Sequence, residues 1–345
     1  MTADQVAPEH LEKEDTAWDA FVAAGPGTTH LQTTAWANVK RSNGWSPLRA
    51  VTSLGDATVG GQILTRRASP MPWRMGYVPR GPIGATLAPG NVAQVTALLR
   101  DRCKSNGIAY LVFEPEVPAS DELEAALRKA GWRRTTRVQP DASRLIDLTP
   151  PVDELWQNLR SKWRQYVTKA RRGGILVSVA DGSRLDDFYS VYSDAYRRAG
   201  VTFRNDESFS VLWNEMAPKG MAHLFMADSA DGKPVATLLL LSTGRRVAEI
   251  YGGSTEEGNE SRANYLIKWA AIEHFRELGF SEYDMYGIPH SGIAHFKAGF
   301  GGEEVKYVGA WETAVSPAGR IVALANSMRA RYVKLRHGRW ATRGR

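Results

Sequence analysis

Cations and aromatic side chains at predicted turns are the residues of this sequence whose types and positions best suit chemistry. Arg80 lies in the turn Tyr77-Val78-Pro79-Arg80-Gly81-Pro82, Arg204 follows a predicted helix, and Lys297 precedes a glycine-rich turn. The other members of this set are Lys40, Thr202, Tyr251 and Phe296. Separated cations on rigid turns suit recognition of a pyrophosphate, because charge-assisted hydrogen bonds to phosphate oxygens are strong. For each cation taken alone, an ordinary surface charge or ion-pair partner is the alternative.

The signatures of several common enzyme classes are absent from the sequence. It contains no G-x-S-x-G, H-E-x-x-H, P-loop or G-x-G-x-x-G pattern. Its one cysteine, Cys103, lies four residues after Leu99 on an apolar helix face, which is typical of a core cysteine rather than a nucleophile. His290 and His295 flank a loop without supporting Cys or Asp ligands. We therefore expect no metal site and no redox cofactor.

A second group of cations lies on one predicted amphipathic helix. Its apolar positions recur at helical spacing and are Leu155, Leu159, Trp163, Tyr166, Val167 and Ala170. Between them lie Arg160, Lys162, Arg164, Lys169, Arg171 and Arg172, with no acidic residue until Asp181. A solvated helix face normally mixes both signs of charge, so this composition favours an anionic partner, with a plain solvated face as the alternative.

Length and composition limit the class of protein. The length of 345 residues predicts two domains, since single hydrophobic cores stop growing at about 250–300 residues. The apolar fraction of 43% excludes a disordered or fibrous chain, and the single cysteine excludes a disulfide scaffold. Six acidic residues among the first 19 argue against a signal peptide, and the longest apolar run, 235–241, is too short to span a membrane. We expect a water-soluble cytoplasmic protein.

The C-terminal segment makes the whole chain basic. From Arg320 onward the sequence has eight Lys and Arg and no Asp or Glu, whereas the rest has 36 basic and 37 acidic residues. Such a segment is typical of a contact with RNA or with an anionic membrane surface, and a frayed solvated tail is the alternative. The same segment has apolar residues on one side of a predicted helix, which predicts packing back on the protein: Ile321, Leu324, Met328, Tyr332 and Leu335.

Two stretches of the chain repeat the same order of predicted elements. In the first, a helix over 92–104 precedes a strand over 109–113 and then Lys129-Ala130-Gly131-Trp132. In the second, a helix over 264–278 precedes a strand over 283–286 and then Lys297-Ala298-Gly299-Phe300. The repeat predicts an internal duplication of an α+β unit, built on a central mixed sheet flanked by helices. We place the first domain at 1–150, the second at 151–316, and a basic helix and tail at 317–345.

A series of motifs, in their order and spacing, resembles the FemABX family of aminoacyl-tRNA-dependent peptidyltransferases over about residues 32–312. The motifs are Leu31-Gln32-Thr33-Thr34-Ala35-Trp36 with Lys40, the 77–82 turn, Phe113-Glu114-Pro115-Glu116, the segment 155–172, Thr202-Phe203-Arg204, Tyr251-Gly252-Gly253-Ser254 and the segment 296–302. The likeness is to the short branch of the family, which lacks an inserted helical arm. It implies two tandem acetyltransferase-like (GNAT) domains, in agreement with the duplication.

The resemblance also implies a reaction and its substrates. The implied enzyme transfers an amino acid from aminoacyl-tRNA, its co-substrate, to an amine of a nucleotide-linked or lipid-linked peptidoglycan precursor, without a cofactor. By this likeness the acceptor is held on the side of the first domain and the aminoacyl-tRNA on the side of the second. The implied acceptor contacts are Lys40, Thr202, Arg204 and Tyr251, to which we add Arg80 on its rigid turn. The implied contacts of the aminoacyl end are Phe296 and Lys297, and the predicted tRNA contacts on the cationic helix are Arg160, Lys162, Arg164, Lys169 and Arg171.

Acyl transfer of this kind requires a proton acceptor and a group that stabilises an oxyanion. Glu114 is the carboxylate we predict as general base, and a ribose hydroxyl of the substrate itself is the alternative relay. Lys297 is the predicted catalytic cation for oxyanion or phosphate stabilisation. We expect a monomer whose basic tail makes a peripheral contact at the inner face of the membrane.

Other functions of the same chain remain open at this point. A related enzyme attaches an amino acid to an antibiotic-type amine and would share the tRNA features. A coenzyme-A-dependent GNAT acyltransferase is less favoured, because no [QR]-x-x-G-x-[GA] run is present to bind the coenzyme's pyrophosphate. A non-catalytic RNA-binding protein explains the basic helix and tail but not the duplicated acyltransferase-like unit.

Overall fold

Two units, each with its own β-sheet, make up the protein. The structure is a computed structural model and describes residues 7–288 and 291–328. Within these residues, unit 1 comprises 7–141 and 306–328, and unit 2 comprises 142–305. Among the predicted features, His290 and the cations from Arg329 to Arg345 lie outside the described residues.

Unit 1 has helices on a sheet whose strands come from both ends of the chain. Its first elements are α1 (Pro8–Lys13), α2 (Asp15–Ala24), α3 (Thr34–Arg41), β1 (Ser46–Leu54), β2 (Ala57–Arg67), β3 (Arg74–Arg80), α4 (Val92–Ser105), β4 (Ile108–Pro115), α5 (Asp121–Lys129) and β5 (Arg133–Arg134).

Unit 2 contains the middle of the chain. Its elements are β6 (Ala142–Asp147), α6 (Val152–Asn158), α7 (Ser161–Arg172), β7 (Leu176–Ala180), α8 (Leu185–Arg198), α9 (Asp206–Met216), β8 (Ala222–Asp228), β9 (Pro234–Thr243), β10 (Arg246–Ser254), α10 (Glu256–Glu260), α11 (Ala263–Glu277), β11 (Glu282–Asp284), α12 (Ser291–Ala298) and β12 (Glu303–Lys306). The chain then returns to unit 1 with β13 (Trp311–Ala314) and a helix over 317–328.

The two sheets share one pattern of strand directions. In unit 1 the order is β1-β2-β3-β4-β13-β5, with β1, β2 and β3 antiparallel and β3 parallel to β4. In unit 2 the order is β12-β6-β11-β10-β9-β8-β7, with β8, β9 and β10 antiparallel and β10 parallel to β11. In both, a long helix, α4 or α11, leads into the parallel strand, as a parallel connection requires. The predicted duplication of an α+β unit is therefore confirmed at the level of fold.

Helical periodicity accounts for the core beneath each sheet. Helix α4 buries Val92, Val95, Leu99 and Cys103, which recur on one face against the strands of unit 1. Burial raises the pKa of the Cys103 thiol to about 12, so the thiol stays protonated and unreactive. This agrees with the prediction of a core cysteine.

The division between the units differs from the predicted one. Strand β6, expected in the first domain, pairs with β11 in the second sheet, and β13, expected in the second domain, pairs with β4 in the first. Unit 2 therefore begins at Ala142 rather than at 151, and the chain re-enters unit 1 from 306. The predicted boundary between residues 150 and 151 lies inside unit 2, just before helix α6.

The helix over 317–328 corrects another expectation. Val322 is fully buried, whereas Ile321 is 52% exposed and Leu324 and Met328 are each 62% exposed. The side predicted to pack back on the protein is thus the side that faces solvent, as far as it lies within the described residues. Tyr332 and Leu335 lie beyond them. Among the helices that the structure describes, none combines the length and apolarity of a membrane span.

Candidate functional site

In unit 1, two of the sequence motifs meet through the side chain of Gln32. Its amide nitrogen donates to the carbonyl of Pro79 at 2.6 Å, and its amide oxygen accepts from the backbone N–H of Gln62 at 2.6 Å. The following helix α3 begins at the cap residue Thr33, and Lys40 near its end lies 4.4 Å above the Trp36 ring. Gln32 therefore ties the start of the helix that carries Lys40 to the end of strand β3.

Arg80 has a buried position that differs from the predicted one. It is only 4% exposed, donates from Nη2 to the carbonyl of Pro140 at 2.6 Å, and stacks 4.4 Å from the ring of Tyr307. Its φ of 56° is in the left-handed region, where a residue with a side chain is strained. The guanidinium is held inside unit 1, so the predicted substrate contact of Arg80 is not what the geometry favours.

Glu114 is also enclosed within unit 1. Its carboxylate, 2% exposed, accepts hydrogen bonds from the hydroxyl of Tyr77 and from the backbone N–H groups of Val138, at 2.6 Å, and Gln139, at 3.2 Å. Burial raises the pKa of Glu114, and the hydrogen bonds from Tyr77 and the backbone oppose that rise. Both carboxylate oxygens hold the loop at 138–139, so the geometry favours a structural role over that of a base.

Replacing Glu114 with glutamine tests this role. We expect the free energy of unfolding to fall by about 1–3 kcal/mol, because the new amide NH₂ cannot accept a hydrogen bond where the carboxylate did. The transfer rate of the folded enzyme should stay within about threefold of wild type. Denaturant unfolding and single-turnover kinetics measure the two quantities. A rate loss of about 10²-fold or more at unchanged stability would restore Glu114 as the base.

In unit 2, Arg204 and Tyr251 come together at one edge of an aromatic cluster. The guanidinium carbon of Arg204 lies 5.7 Å from the Tyr251 ring, and Arg204 itself is exposed. Phe209 meets Tyr251 edge-on at 5.0 Å, and Tyr192 meets both Tyr251 and Phe203 edge-on at about 6 Å. These contacts anchor the segment between α8 and α9, so that Arg204, with exposed Thr202 nearby in sequence, is presented to solvent beside a phenol. Burial raises the pKa of Tyr251, and the Arg204 charge opposes the rise.

Lys297, on helix α12, is tied to the loop that follows strand β11. Its ammonium donates to the carbonyls of Met285 at 2.6 Å and Gly287 at 2.7 Å, and to that of Tyr286 between them. An ammonium has three N–H donors, so these contacts match its capacity. Burial lowers the pKa of Lys297 to about 8. The predicted oxyanion donor is therefore also the clamp of a loop in which Tyr286 has a φ of 52°.

Helix α7 fixes the helix that bears Phe296 and Lys297. The indole N–H of Trp163 donates to the carbonyl of Phe296 at 3.0 Å, and the backbone N–H of Arg160 donates to that of Gly299 at 2.9 Å. The Arg160 side chain contacts the His295 ring at 3.1 Å. Trp163 and Arg160 therefore fix the position of the helix end that carries Phe296 and Lys297.

Close packing against Trp163 explains the glycine in the motif after Lys297. A Cβ at Gly299 would lie 2.2 Å from the Trp163 ring, too close for any real contact. We expect Gly299→Ala to lower the free energy of unfolding by about 1–3 kcal/mol through overpacking. Gly90→Ala is the matched control, since its Cβ would meet no atom within 4 Å. Chemical denaturation of both variants is the measurement. If Gly299→Ala and Gly90→Ala had the same free energy of unfolding, the Trp163 ring would have moved aside without loss of stability.

A buried ion pair that the sequence analysis missed lies next to this site. Lys268 on α11 binds Glu249 on β10, and the other oxygen of Glu249 accepts from the Tyr283 hydroxyl at 3.1 Å. The register of β10 shifts between Glu249 and Tyr251, which is a β-bulge of the kind found beside functional sites. Burial and, to a smaller extent, the negative charge of Glu249 raise the pKa of Tyr196, which also interacts electrostatically with Tyr251. Glu249 is the one charged residue of the sequence run 247–251, and Lys268 lies between the apolar Ile267 and Trp269, so a signal for the pair was available in the sequence.

The predicted cationic helix is two helices, α6 and α7, with an extended break at Leu159 and Arg160. Arg164 holds the two helices together across this break, because its Nη1 donates to the carbonyls of Gln157 at 2.8 Å and Leu159 at 2.6 Å. Arg171 pairs with Glu273 at 2.8 Å. Arg160, Arg164 and Arg171, three of the five predicted tRNA contacts, thus have structural partners within unit 2. Lys162 lies 5.7 Å from the Tyr166 ring, and Lys169 lies farther along α7.

Comparison with known families separates the two halves of the chain. A model described as Acetyltransferase (GNAT) domain matches residues 156–298, and one described as FemAB family matches residues 13–130. The chain is similar to the FemABX family over its first part and to a GNAT domain over its second. The resemblance to the FemABX family and the pair of GNAT-like units that the sequence predicted are both confirmed.

Relatives of this protein resemble it over most of its length. It is 26% identical over 297 residues to a UDP-N-acetylmuramoylpentapeptide-lysine N(6)-alanyltransferase of Weissella viridescens, covering 81% of this chain and 85% of the relative. It is 24% identical over 228 residues to a lipid II:glycine glycyltransferase of Staphylococcus haemolyticus, of which it spans about half, 54%. The crystal structure of FemX superposes with a TM-score of 0.78 at 18% identity, covering 87% of this chain and 96% of FemX, and shows the same fold.

Proposed function

We propose that this protein transfers an amino acid from aminoacyl-tRNA to an amine of a peptidoglycan precursor. The observation that supports this best is the match to the FemAB family together with relatives whose names describe alanyl and glycyl transfer to such precursors. Unit 2 adds a geometry suited to the reaction. Arg204 is an exposed cation beside the phenol of Tyr251. Electrostatic interactions link Tyr251 to Tyr196, Tyr196 to Glu249, and Glu249 to the buried cation Lys297.

The reaction is an acyl transfer. The neutral acceptor amine attacks the ester carbonyl of aminoacyl-tRNA, and a C–N bond forms as the carbonyl becomes a tetrahedral oxyanion. The C–O bond to the ribose then breaks, and the amine proton ends on the departing ribose oxygen. A lysine-type amine has an unperturbed pKa of about 10.4, so it must lose a proton before or during attack. With Glu114 enclosed by donors, we assign the proton relay to the ribose hydroxyl of the substrate.

The residues of unit 2 have distinct parts in this proposal. Arg204 and Tyr251, with Thr202, bind the phosphate side of the acceptor, because an exposed guanidinium beside a hydroxyl matches phosphate oxygens. Phe296 packs against the aminoacyl end. Lys297 contributes positive charge near the developing oxyanion and holds the 285–287 loop in place. Lys40 in unit 1 is proposed separately as an acceptor contact.

Proposed partners are aminoacyl-tRNA and a nucleotide-linked or lipid-linked precursor, with no cofactor and a monomeric enzyme. We propose a cytoplasmic location with peripheral contact at the inner face of the membrane. The exposed apolar side of the helix over 317–328 supports this contact, since seven basic residues and no acidic ones follow it in sequence. Apolar and cationic residues in that arrangement suit an anionic lipid surface.

One experiment tests the proposed function against its alternatives. The protein is incubated with radiolabelled aminoacyl-tRNA pools or acetyl-CoA, each with nucleotide-linked and lipid-linked cell-wall precursors and with an antibiotic-type amine. We expect label from aminoacyl-tRNA to appear on a precursor. Label from acetyl-CoA on any acceptor would indicate a GNAT acetyltransferase, and transfer only to the antibiotic-type amine would move the acceptor outside the cell wall.

A further inference from the structure

Helix α7 has two sides with different surroundings in unit 2. One side holds helix α12 through Arg160 and Trp163. The opposite side, with the end of α6, forms a shallow groove of about 470 Å³. The residues of this groove that matter to the argument are Trp156, Ser161, Arg164, Thr168, Lys169 and Arg172. On α7 they are spaced three or four residues apart, so that they form one continuous stripe.

The groove is cationic and contains no carboxylate among its lining residues. Within residues 7–288 and 291–328, Lys169 and Arg172 have no hydrogen-bond or ion-pair partner for their charged groups. Arg164 is held in place because its Nη1 binds the carbonyls that end α6. The neighbouring Arg171, by contrast, points to Glu273 on α11. The cation outside the groove, Arg171, is therefore paired within the protein, whereas the charged groups of Lys169 and Arg172 inside the groove are available to a ligand.

The spacing of these charges indicates an extended anion. Arg164 and Arg172 are eight residues apart, which is about 12 Å along a helix at 1.5 Å per residue. A single phosphate cannot span that distance, whereas a phosphodiester chain presents one anion after another. The hydroxyls of Ser161 and Thr168 are further donors to phosphate or sugar, and the indole of Trp156 offers an aromatic edge. Cations unopposed by acids along a helix lower its stability, so a ligand that neutralises them is favoured.

The start of α7 links the groove to the proposed aminoacyl end on the other side of that helix. The groove residue Ser161 follows Arg160, whose backbone N–H binds the carbonyl of Gly299 and whose side chain contacts His295 on α12. A nucleic-acid chain that ends at Phe296 and Lys297 therefore passes the start of α7 before it reaches the cationic groove. A lipid surface suits the groove less well, because Trp156 is the one large apolar side chain among its lining residues.

We propose that the groove binds the sugar–phosphate backbone of the aminoacyl-tRNA near its acylated end. This inference rests on the proposed function; of the predicted tRNA contacts it keeps Arg164 and Lys169, and it adds Arg172. The binding is independent of base sequence, since the groove offers phosphate and sugar contacts and no set of side chains arranged to read base edges.

The test is a double variant, Lys169→Ala with Arg172→Ala, in the full chain. The matched control is Lys219→Ala with Lys233→Ala, which removes two exposed lysines of the same unit and changes the net charge equally. Binding of a deacylated tRNA pool is measured between 50 and 200 mM salt. We expect the groove variant to bind at least about tenfold more weakly and its salt slope to fall by about 1.4–1.8, as expected for two lost phosphate contacts. The control should stay within about twofold of wild type.

Several outcomes would overturn the inference. One is unchanged tRNA binding and salt slope in the groove variant, and another is an equal loss in the control. A third is loss of binding to phosphatidylglycerol vesicles with tRNA binding intact, which would assign the groove to lipid. Failure of the proposed function looks different: the wild-type protein would bind tRNA through the groove and transfer no amino acid. If transfer occurs at normal KM for aminoacyl-tRNA in the groove variant, the function stands and the groove assignment fails.

Discussion

Replacing Lys297 with methionine is expected to lower the rate of aminoacyl transfer by about 10²–10³-fold, because it removes the positive charge near the developing oxyanion together with the clamp of the 285–287 loop. The change deletes a buried charge and its hydrogen bonds to the carbonyls of Met285 and Gly287, while methionine keeps most of the side-chain volume. Single-turnover transfer at saturating acceptor is the measurement. A rate within about threefold of wild type, well under 1 kcal/mol of barrier, would remove Lys297 from the catalytic site.

Lys129→Met is the matched control for this variant. Lys129 occupies the corresponding place after the helix–strand pair of unit 1, but its side chain is exposed on α5. The same charge is lost there without loss of a buried contact. We expect its transfer rate to be nearly that of wild type, and an equal loss in both variants would indicate a general effect of net charge on tRNA binding.

The pH profile separates the charge of Lys297 from its packing. Because burial lowers its pKa to about 8, the ammonium is charged below that pH and loses its charge as the pH rises through it. The acceptor amine, with a pKa of about 10.4, becomes tenfold more nucleophilic with each pH unit over the same range. The wild-type rate should therefore rise with pH to about 8 and then level off. Lys297→Met, starting from a lower rate, should continue to rise without that break.

Replacing Arg204 with alanine is expected to raise the KM for the acceptor by about 10- to 150-fold, since loss of a charge-assisted phosphate contact costs about 1.5–3 kcal/mol. Arg204 is exposed and contacts the Tyr251 ring at the edge of the aromatic cluster, so we expect the fold of unit 2 to be kept in this variant. The KM for aminoacyl-tRNA should hardly change. Steady-state kinetics with each substrate varied in turn measure the two constants.

Arg204→Lys distinguishes the recognition of phosphate from simple charge. Lysine keeps the positive charge but lacks the planar pair of donors that binds two phosphate oxygens. We expect an intermediate KM for the acceptor. Equal losses of affinity for both substrates in Arg204→Ala would instead point to a folding defect or to a tRNA contact.

Helices, strands and their repetition were accessible from the sequence because they depend on neighbours along the chain. The predicted strand over 109–113 lies within β4, and the predicted helix over 264–278 is α11 with a difference of one residue at each end. The core position of Cys103 followed from its spacing after Leu99. The order of the motifs was enough to predict the family and the paired GNAT-like fold, which the comparisons confirm.

The domain boundaries and the environments of the charged groups were decided by tertiary structure alone. Strand β6 belongs to unit 2 because its partner is β11, and β13 belongs to unit 1 because its partner is β4, more than 190 residues earlier. Hydrophobic periodicity contains no information about such distant pairing.

The candidate site also has features that the sequence determined and features that only the tertiary structure decided. The sequence by itself determined which residues are cations, carboxylates and aromatics and on which turns and helices they lie. It did not determine that Arg80 is buried under Tyr307, that Glu114 holds a backbone loop, or that three carbonyls surround the Lys297 ammonium. The hydrogen-bonding partners of these buried groups come from residues remote in sequence, because a buried polar group must be paired with a group that folding brings next to it. Only the tertiary structure therefore distinguishes the exposed Arg204, and the unpaired Lys169 and Arg172 among the described residues, from the cations that fold the chain.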